Sequence, residues 1–552
     1  LKPKVWIAGA VVLTLLVGGG LLAAKVFLGS STDEAVHLVP ANAGAYVNVF
    51  VRPSNSQKMA LEDLLGKFPQ LGDSFEEAKD ALVELLDPQL AEFDLQFERD
   101  IDPWLGNQIA LYFMPPPVDL TSNDGSGDAI DLAPTQEPDA AVLVAVTDQD
   151  AARAALDKAL AAQDLEAEAV SYEGTDYSLV PDDGVDVAVG FLEDFMILGS
   201  ERALKLSVDA FRGDSLADAP EYEEAFEGLS EDQIGTMYFD TEGLIEAAVE
   251  STTASSEDRA GMQTLADSGP IAVGLHARSD AVVLEASARL PGDPAVRDIV
   301  EGLAGEGTEG VMSAMPEETW LAWAVPNLGR AISGIVATAE GASPTIGSDE
   351  LSEAFERETG LDLNEDVLSW MGSAGLFVEG TIVRDLGGAI VIESSDAEKT
   401  RAVVDRIREF VDTEQPGAAK DEERGGLTGF SIQAPTPFGS VFVLGGEKAV
   451  IAYGERAVDA AVAPTSTLGE SERFSAAVFD LGDGFEPDIY LDLTAIPKLV
   501  DAFAAFGGDL DPSYETDVKP VLEVLDYAVI GSTREDDRLQ QRFVIGVSGG
   551  EE

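Results

Sequence analysis

Two short stretches of this 552-residue chain carry one pattern: Phe97–Gly106 reads FERDIDPWLG and Leu363–Gly372 reads LNEDVLSWMG. Each runs from an apolar residue through Asp, a β-branched residue, two spacers, Trp and an apolar residue to Gly. Tryptophan occurs only five times in the chain, so a duplication explains the match better than chance does. Further matches follow in the same order. Asp139–Asp148 (DAAVLVAVTD) corresponds to Gly387–Asp396 (GGAIVIESSD), Ile197–Ala203 to Ile451–Ala457, and Met237–Asp240 (MYFD) to Ile489–Asp492 (IYLD). At the front, Val39-Pro40 corresponds to Met315-Pro316. One repeat is placed at 36–290 and the other at 312–548, joined by a Pro- and Gly-rich linker at 291–311. The first repeat carries an acidic loop insert at about 115–138, rich in Pro, Asp, Gly and Ser.

Within each repeat, short apolar runs alternate with helix-like stretches. Ile271–Ala277 and Ala281–Leu290 read as a hairpin about Arg278-Ser279-Asp280. Ser200 and Gly454 open helices, with Glu201 and Glu455 in the first turn, where negative charge suits the helix dipole. Hairpins with intervening helices imply mainly antiparallel sheets with helices on one face, an α+β class.

Ahead of the repeats, Lys2 and Lys4 precede an apolar run from Val5 to Ala24, closed by Lys25. Such a run is long enough to cross a bilayer as a helix, at about 1.5 Å per residue and roughly 30 Å of hydrocarbon. The expected layout is therefore a cytoplasmic stub and signal anchor over residues 1–30, with the bulk of the chain extracytoplasmic by the positive-inside rule. The lipid bilayer is then a partner through Val5 to Ala24.

With 103 acids against 34 bases the net charge is −69, which repels phosphate backbones and argues against nucleic acid as a partner. Such a surface would attract divalent cations or basic partners, but solubility alone is the simpler reading of the charge. The absence of cysteine removes disulfides, thiolate metal sites and cysteine nucleophiles together. Two histidines, His37 and His276, are too few for classical zinc sites, and no nucleophile elbow or Walker loop accompanies them. Gly305–Gly310 fits G-x-G-x-x-G, but Glu306 and Glu309 would repel a pyrophosphate, so it reads as linker. No catalytic residue is assigned.

Calcium is the one ion the acids suit. The candidate ligands are Asp362, Asn364 and Asp366, with Asp124 and Asp128, and Asp509 and Asp511, as further pairs. Val367 stands where a calcium loop wants Gly, and Asp366 matches Asp100 in the other repeat, so helix capping is the simpler reading. Trp104 and Trp370, each three residues after a β-branched residue and two before a Gly, are expected in the core.

The apolar leader, the proline-led first strand, the D-[IV]-x-x-W-x-G stretch and the strand pair ending in GSERA together resemble a family of uncharacterised bacterial membrane-anchored proteins catalogued as a domain of unknown function. The resemblance covers nearly the whole chain and implies location and architecture without an activity. The function expected from the sequence is that of a membrane-tethered, extracytoplasmic, non-enzymatic binding or scaffolding protein of the cell envelope, with envelope proteins as partners. The alternatives are an envelope hydrolase using paired carboxylates and a calcium-dependent adhesion or buffering module.

Overall fold

In the computed structural model the described residues are 32–68, 83, 87–115, 139–182, 185–245, 269–342, 350–382, 384–433, 439–505, 510–511 and 513–548. The chain divides into two units, Leu1–Arg289 and Leu290–Glu552. The first unit is built on strands β1 (Ala45–Phe50), β2 (Leu105–Phe113), β3 (Ala140–Val146), β4 (Glu168–Tyr172), β5 (Thr175–Asp182), β6 (Val185–Leu192), β7 (Phe195–Ser200), β8 (Gly235–Phe239), β9 (Ile271–Arg278) and β10 (Ala281–Arg289). Their order across the sheet is β4-β5-β6-β7-β3-β2-β1-β8-β9-β10, every neighbour antiparallel.

The second unit contributes β11 (Thr319–Val325), β12 (Met371–Glu379), β13 (Gly387–Ser394), β14 (Lys420–Arg424), β15 (Leu427–Gln433), β16 (Ser440–Gly445), β17 (Lys448–Tyr453), β18 (Glu486–Asp492), β19 (Leu525–Glu535) and β20 (Arg538–Val547). Its order, β14-β15-β16-β17-β13-β12-β11-β18-β19-β20, is the same path, again antiparallel throughout. Even the isolated bridges agree: Pro40 pairs with Ser215 in one unit and Pro316 with Thr467 in the other.

Helices cover both faces of the first sheet, where the sequence had implied one. On one face Tyr46, Tyr112, Leu143 and Ile197 pack under the helix Glu201–Arg212 and the short 3-10 turn Ala35–Leu38. On the other, Ile109, Val144, Val189 and Met196 pack with Trp104, Phe97 and the helix Gln149–Ala162. The reason lies in β3, whose AAVLVAV has no polar side chain to offer water on either face. Alternation, the usual sign of a half-buried strand, is missing from this central position.

The fold expected from the sequence, a transmembrane helix leading two repeats, is corrected. Among the described residues no helix is long and apolar enough to cross a membrane, and what they build is antiparallel sheet with helices packed on it. Length alone does not make a span: the helix Ala397–Glu414, at 18 residues, interleaves charged residues with apolar ones along its whole length. The expected span Val5–Ala24 lies outside the described residues, as does most of the acidic insert.

The shared tryptophan stretch has one geometry in both units. A π-helical turn, Phe97–Ile101 or Leu363–Val367, precedes the Trp. The indole Nε1 of Trp104 donates to the carbonyl of Asp100 (2.6 Å), and that of Trp370 to the carbonyl of Asp366 (3.0 Å). Each Trp carbonyl then accepts an N–H from the end of the neighbouring strand, Thr147 at 2.8 Å and Ser395 at 3.0 Å. The ring is buried in both cases, with 5 % and 2 % exposure. Truncation at such a position removes a large apolar surface and leaves a cavity. Trp104→Ala is therefore expected to lower the stability of the first unit by about 3 to 5 kcal/mol in a denaturant titration, and a loss below about 1 kcal/mol would contradict the core role.

Candidate functional site

Among the described residues of the first unit, two clefts meet the segment Asp33–Leu38: Asp33 lines one, and Glu34, His37 and Leu38 line the other. That segment is fixed from below by Gln108, a fully buried polar residue on β2. Its Oε1 accepts the N–H groups of Glu34 (3.2 Å) and Ala35 (3.1 Å), and its Nε2 donates to the carbonyl of Thr32. Asp33 completes the anchor. Its carboxylate accepts the Tyr46 hydroxyl at 2.8 Å, the Val36 N–H at 3.2 Å and the Tyr222 hydroxyl at 3.4 Å. Burial pushes the Asp33 carboxyl up to about 6 in spite of these donors, and burial together with the Asp33 charge raises both tyrosines.

The larger cleft, of about 680 Å³, opens where β2 departs from its register with β3 between Leu105 and Ile109. Gly106 makes the departure feasible, because a Cβ there would lie 2.6 Å from Cβ of Ala145. Glu34, His37, Arg52, Asn107, Glu193 and Asp194 supply its polar wall, and Leu38, Phe195 and Phe211 its apolar one. Phe211 is 41 % exposed at the end of its helix. The floor is held by N–H bonds from Val146 to the Asp194 carbonyl (2.7 Å) and from Arg52 to the Asn107 carbonyl (3.4 Å). Both charge signs and aromatic surface are thus presented over one rigid sheet end.

The smaller cavity, of about 320 Å³, is lined by Asp33, Phe50, Tyr222, Glu223, Phe226 and Thr236 among others. Tyr222 packs against Phe226 and Tyr238 with ring centroids 5.0 and 5.2 Å apart. In the second unit Asp488 precedes Ile489 on β18 as Thr236 precedes Met237 on β8. Burial pushes its carboxyl up to about 7.

The candidate metal ligands singled out in the sequence line neither of these clefts. Asp362 accepts the Glu365 N–H at 2.6 Å as a helix cap, and Asp366 accepts the Asp362 N–H at 2.9 Å. Asn364 is exposed, so the turn's two carboxylates serve its own backbone. Asp511 likewise accepts the Ser513 N–H at 2.9 Å, while Asp124, Asp128 and Asp509 lie outside the described residues. Among the described residues no group of three or more His, Asp or Glu side chains could hold a metal ion. The amides of Gly307 and Glu309 in the G-x-G-x-x-G stretch donate to the Glu486 carboxylate at 2.6 and 3.2 Å, an internal acid where a nucleotide site would place phosphate. His276, half-buried on β9, has Nδ1 3.9 Å from the buried Glu285, and His37 lines the larger cleft.

Sequence reading missed Asp33, Tyr46, Gln108 and Tyr222. Two signals were present: Gln108 interrupts the apolar run of β2, and Asn48 stands on the face of β1 that carries Tyr46 and Phe50. A carboxyl raised in the folded state binds its proton more readily there than in the unfolded chain, so it favours folding at low pH and opposes it once ionised. The stability difference between wild type and Asp33→Asn should therefore change between about pH 4 and pH 7, with the wild type losing on the order of 2 kcal/mol relative to the variant as pH rises. A difference that stays flat across urea titrations in that window would contradict the assignment.

No curated protein matches the chain. Among solved structures, crystal form IV of TP0453 aligns at 12 % identity and a TM-score of 0.23, covering 46 % of this chain and 80 % of that one. Crystal form I of the same protein aligns at 12 % identity and 0.22, covering 47 % and 79 %. These scores are too low to carry a fold assignment. The family model of a protein of unknown function, DUF3352, matches residues 6–541. Spanning nearly the whole chain, that match makes this protein a member of the DUF3352 family.

Proposed function

We propose that this chain is a non-enzymatic binding or scaffolding protein of the cell envelope, and that the larger cleft of the first unit is where it engages an envelope protein. The observation that supports the reading is the composition of that cleft. Arg52 and His37 stand with Glu34, Glu193 and Asp194 around Leu38, Phe195 and Phe211. A polypeptide offers both charge signs and apolar side chains at once, and an exposed aromatic beside a polar rim is the usual anchor for one. The chain's charge of −69 adds a long-range preference for a partner with a basic surface.

Photo-crosslinking from position 211 in intact cells, followed by affinity purification, tests this. One stoichiometric envelope protein is expected, and its yield should fall about 10-fold with Phe211→Ala or Arg52→Glu. Cytoplasmic partners alone would overturn the location, and robust hydrolysis of glycans or peptides by the purified chain would overturn the non-enzymatic reading.

A further inference from the structure

We propose that the smaller cavity of the first unit is a binding site for a small organic ammonium ion. The wall is acidic and aromatic: Asp33, Glu223 and Glu231 supply carboxylates, Phe50, Tyr222 and Phe226 supply ring surface, and among the described residues no Lys or Arg lines it. Carboxylates attract an ammonium group directly, and aromatic faces favour it through their quadrupoles. Acidity alone would be unremarkable in a chain of this charge. The independent observation is that polar groups are buried here without partners.

Thr236 lines the cavity at 8 % exposure, and its hydroxyl has no hydrogen-bond partner. Directly across the β1–β8 pairing stands Asn48, at 0 % exposure, with neither its Oδ1 nor its Nδ2 bonded. Asn48 shares its strand face with Phe50, which lines the same cavity. Leaving a buried amide and a hydroxyl unpaired in the middle of a sheet costs about 1 to 3 kcal/mol each, and apolar residues of the same size would avoid that cost. A ligand with N–H donors gives the two lining acceptors, Thr236 Oγ1 and the Asp33 carboxylate, something to bind. The cavity volume of about 320 Å³ accommodates a short alkylammonium.

The site shares no lining residue with the larger cleft. Isothermal calorimetry on the full chain with butylammonium chloride, n-butanol and calcium chloride tests it. Saturable binding of butylammonium is expected, with none of n-butanol, and with affinity weakened about 10-fold by Asp33→Asn and by the near-isosteric Thr236→Val. Equal binding of n-butanol would overturn the ammonium assignment, and calcium binding with the same sensitivity to both variants would make the site a metal site. Butylammonium affinity unchanged in Thr236→Val, a variant that keeps the shape of the strand, would place any binding elsewhere and overturn the proposal.

Discussion

The turn that feeds the chain into β2 and into β12 is closed in both units by the same hydrogen bond, from a tryptophan indole back to an aspartate carbonyl. The ring is needed in the core for its area, and its N–H needs an acceptor once buried. The π-helical turn supplies that acceptor from within the same segment, so the whole device travels as one stretch of sequence. β2 and β12 are inner strands of their sheets, so this entry point leads into a strand that is paired on both sides. The register also breaks just after the Trp in both, which opens the backbone beside the larger cleft in the first unit.

Burial on both faces makes polar residues within the sheet costly, and the first unit contains several. Gln108 has all its partners in the segment Thr32–Ala35, and so converts a buried amide into an anchor for the segment that meets both clefts. Asp33 serves the same segment with two tyrosines. Asn48 and Thr236 have no such partners, and the contrast with Gln108 sets them apart. In the second unit Ala324 follows Trp323 on β11 as Asn48 follows Val47 on β1, and the acid there is on the strand itself, at Asp488. The same backbone path thus carries different chemistry in its two versions.

Part of this was legible from the residues. The duplicated Trp stretch, the hairpin of β9 and β10 and the helix start at Ser200 are local, and local hydrogen bonding decides them: the Ser200 side chain accepts the Ala203 N–H three residues on. The calcium-like stretch at Asp362 was also decided locally, by carboxylates that satisfy their own turn. Helices on both faces were not legible, because a continuous apolar run such as that of β3 does not say which element will cover each side. The clefts were less legible still. Tyr222 reaches Asp33 across 189 positions of sequence, and no periodicity relates them.

What the sequence alone determined is the duplicated Trp stretch, the family and the acidic charge, since each is a property of residue order or composition. What only the tertiary structure decided is which polar residues meet: Gln108 beneath Glu34, Tyr46 and Tyr222 on Asp33, Asn48 opposite Thr236. The physical reason is that strand order in an antiparallel sheet with crossing connections brings β1 between β2 and β8, and side-chain neighbours across those pairings are set by register.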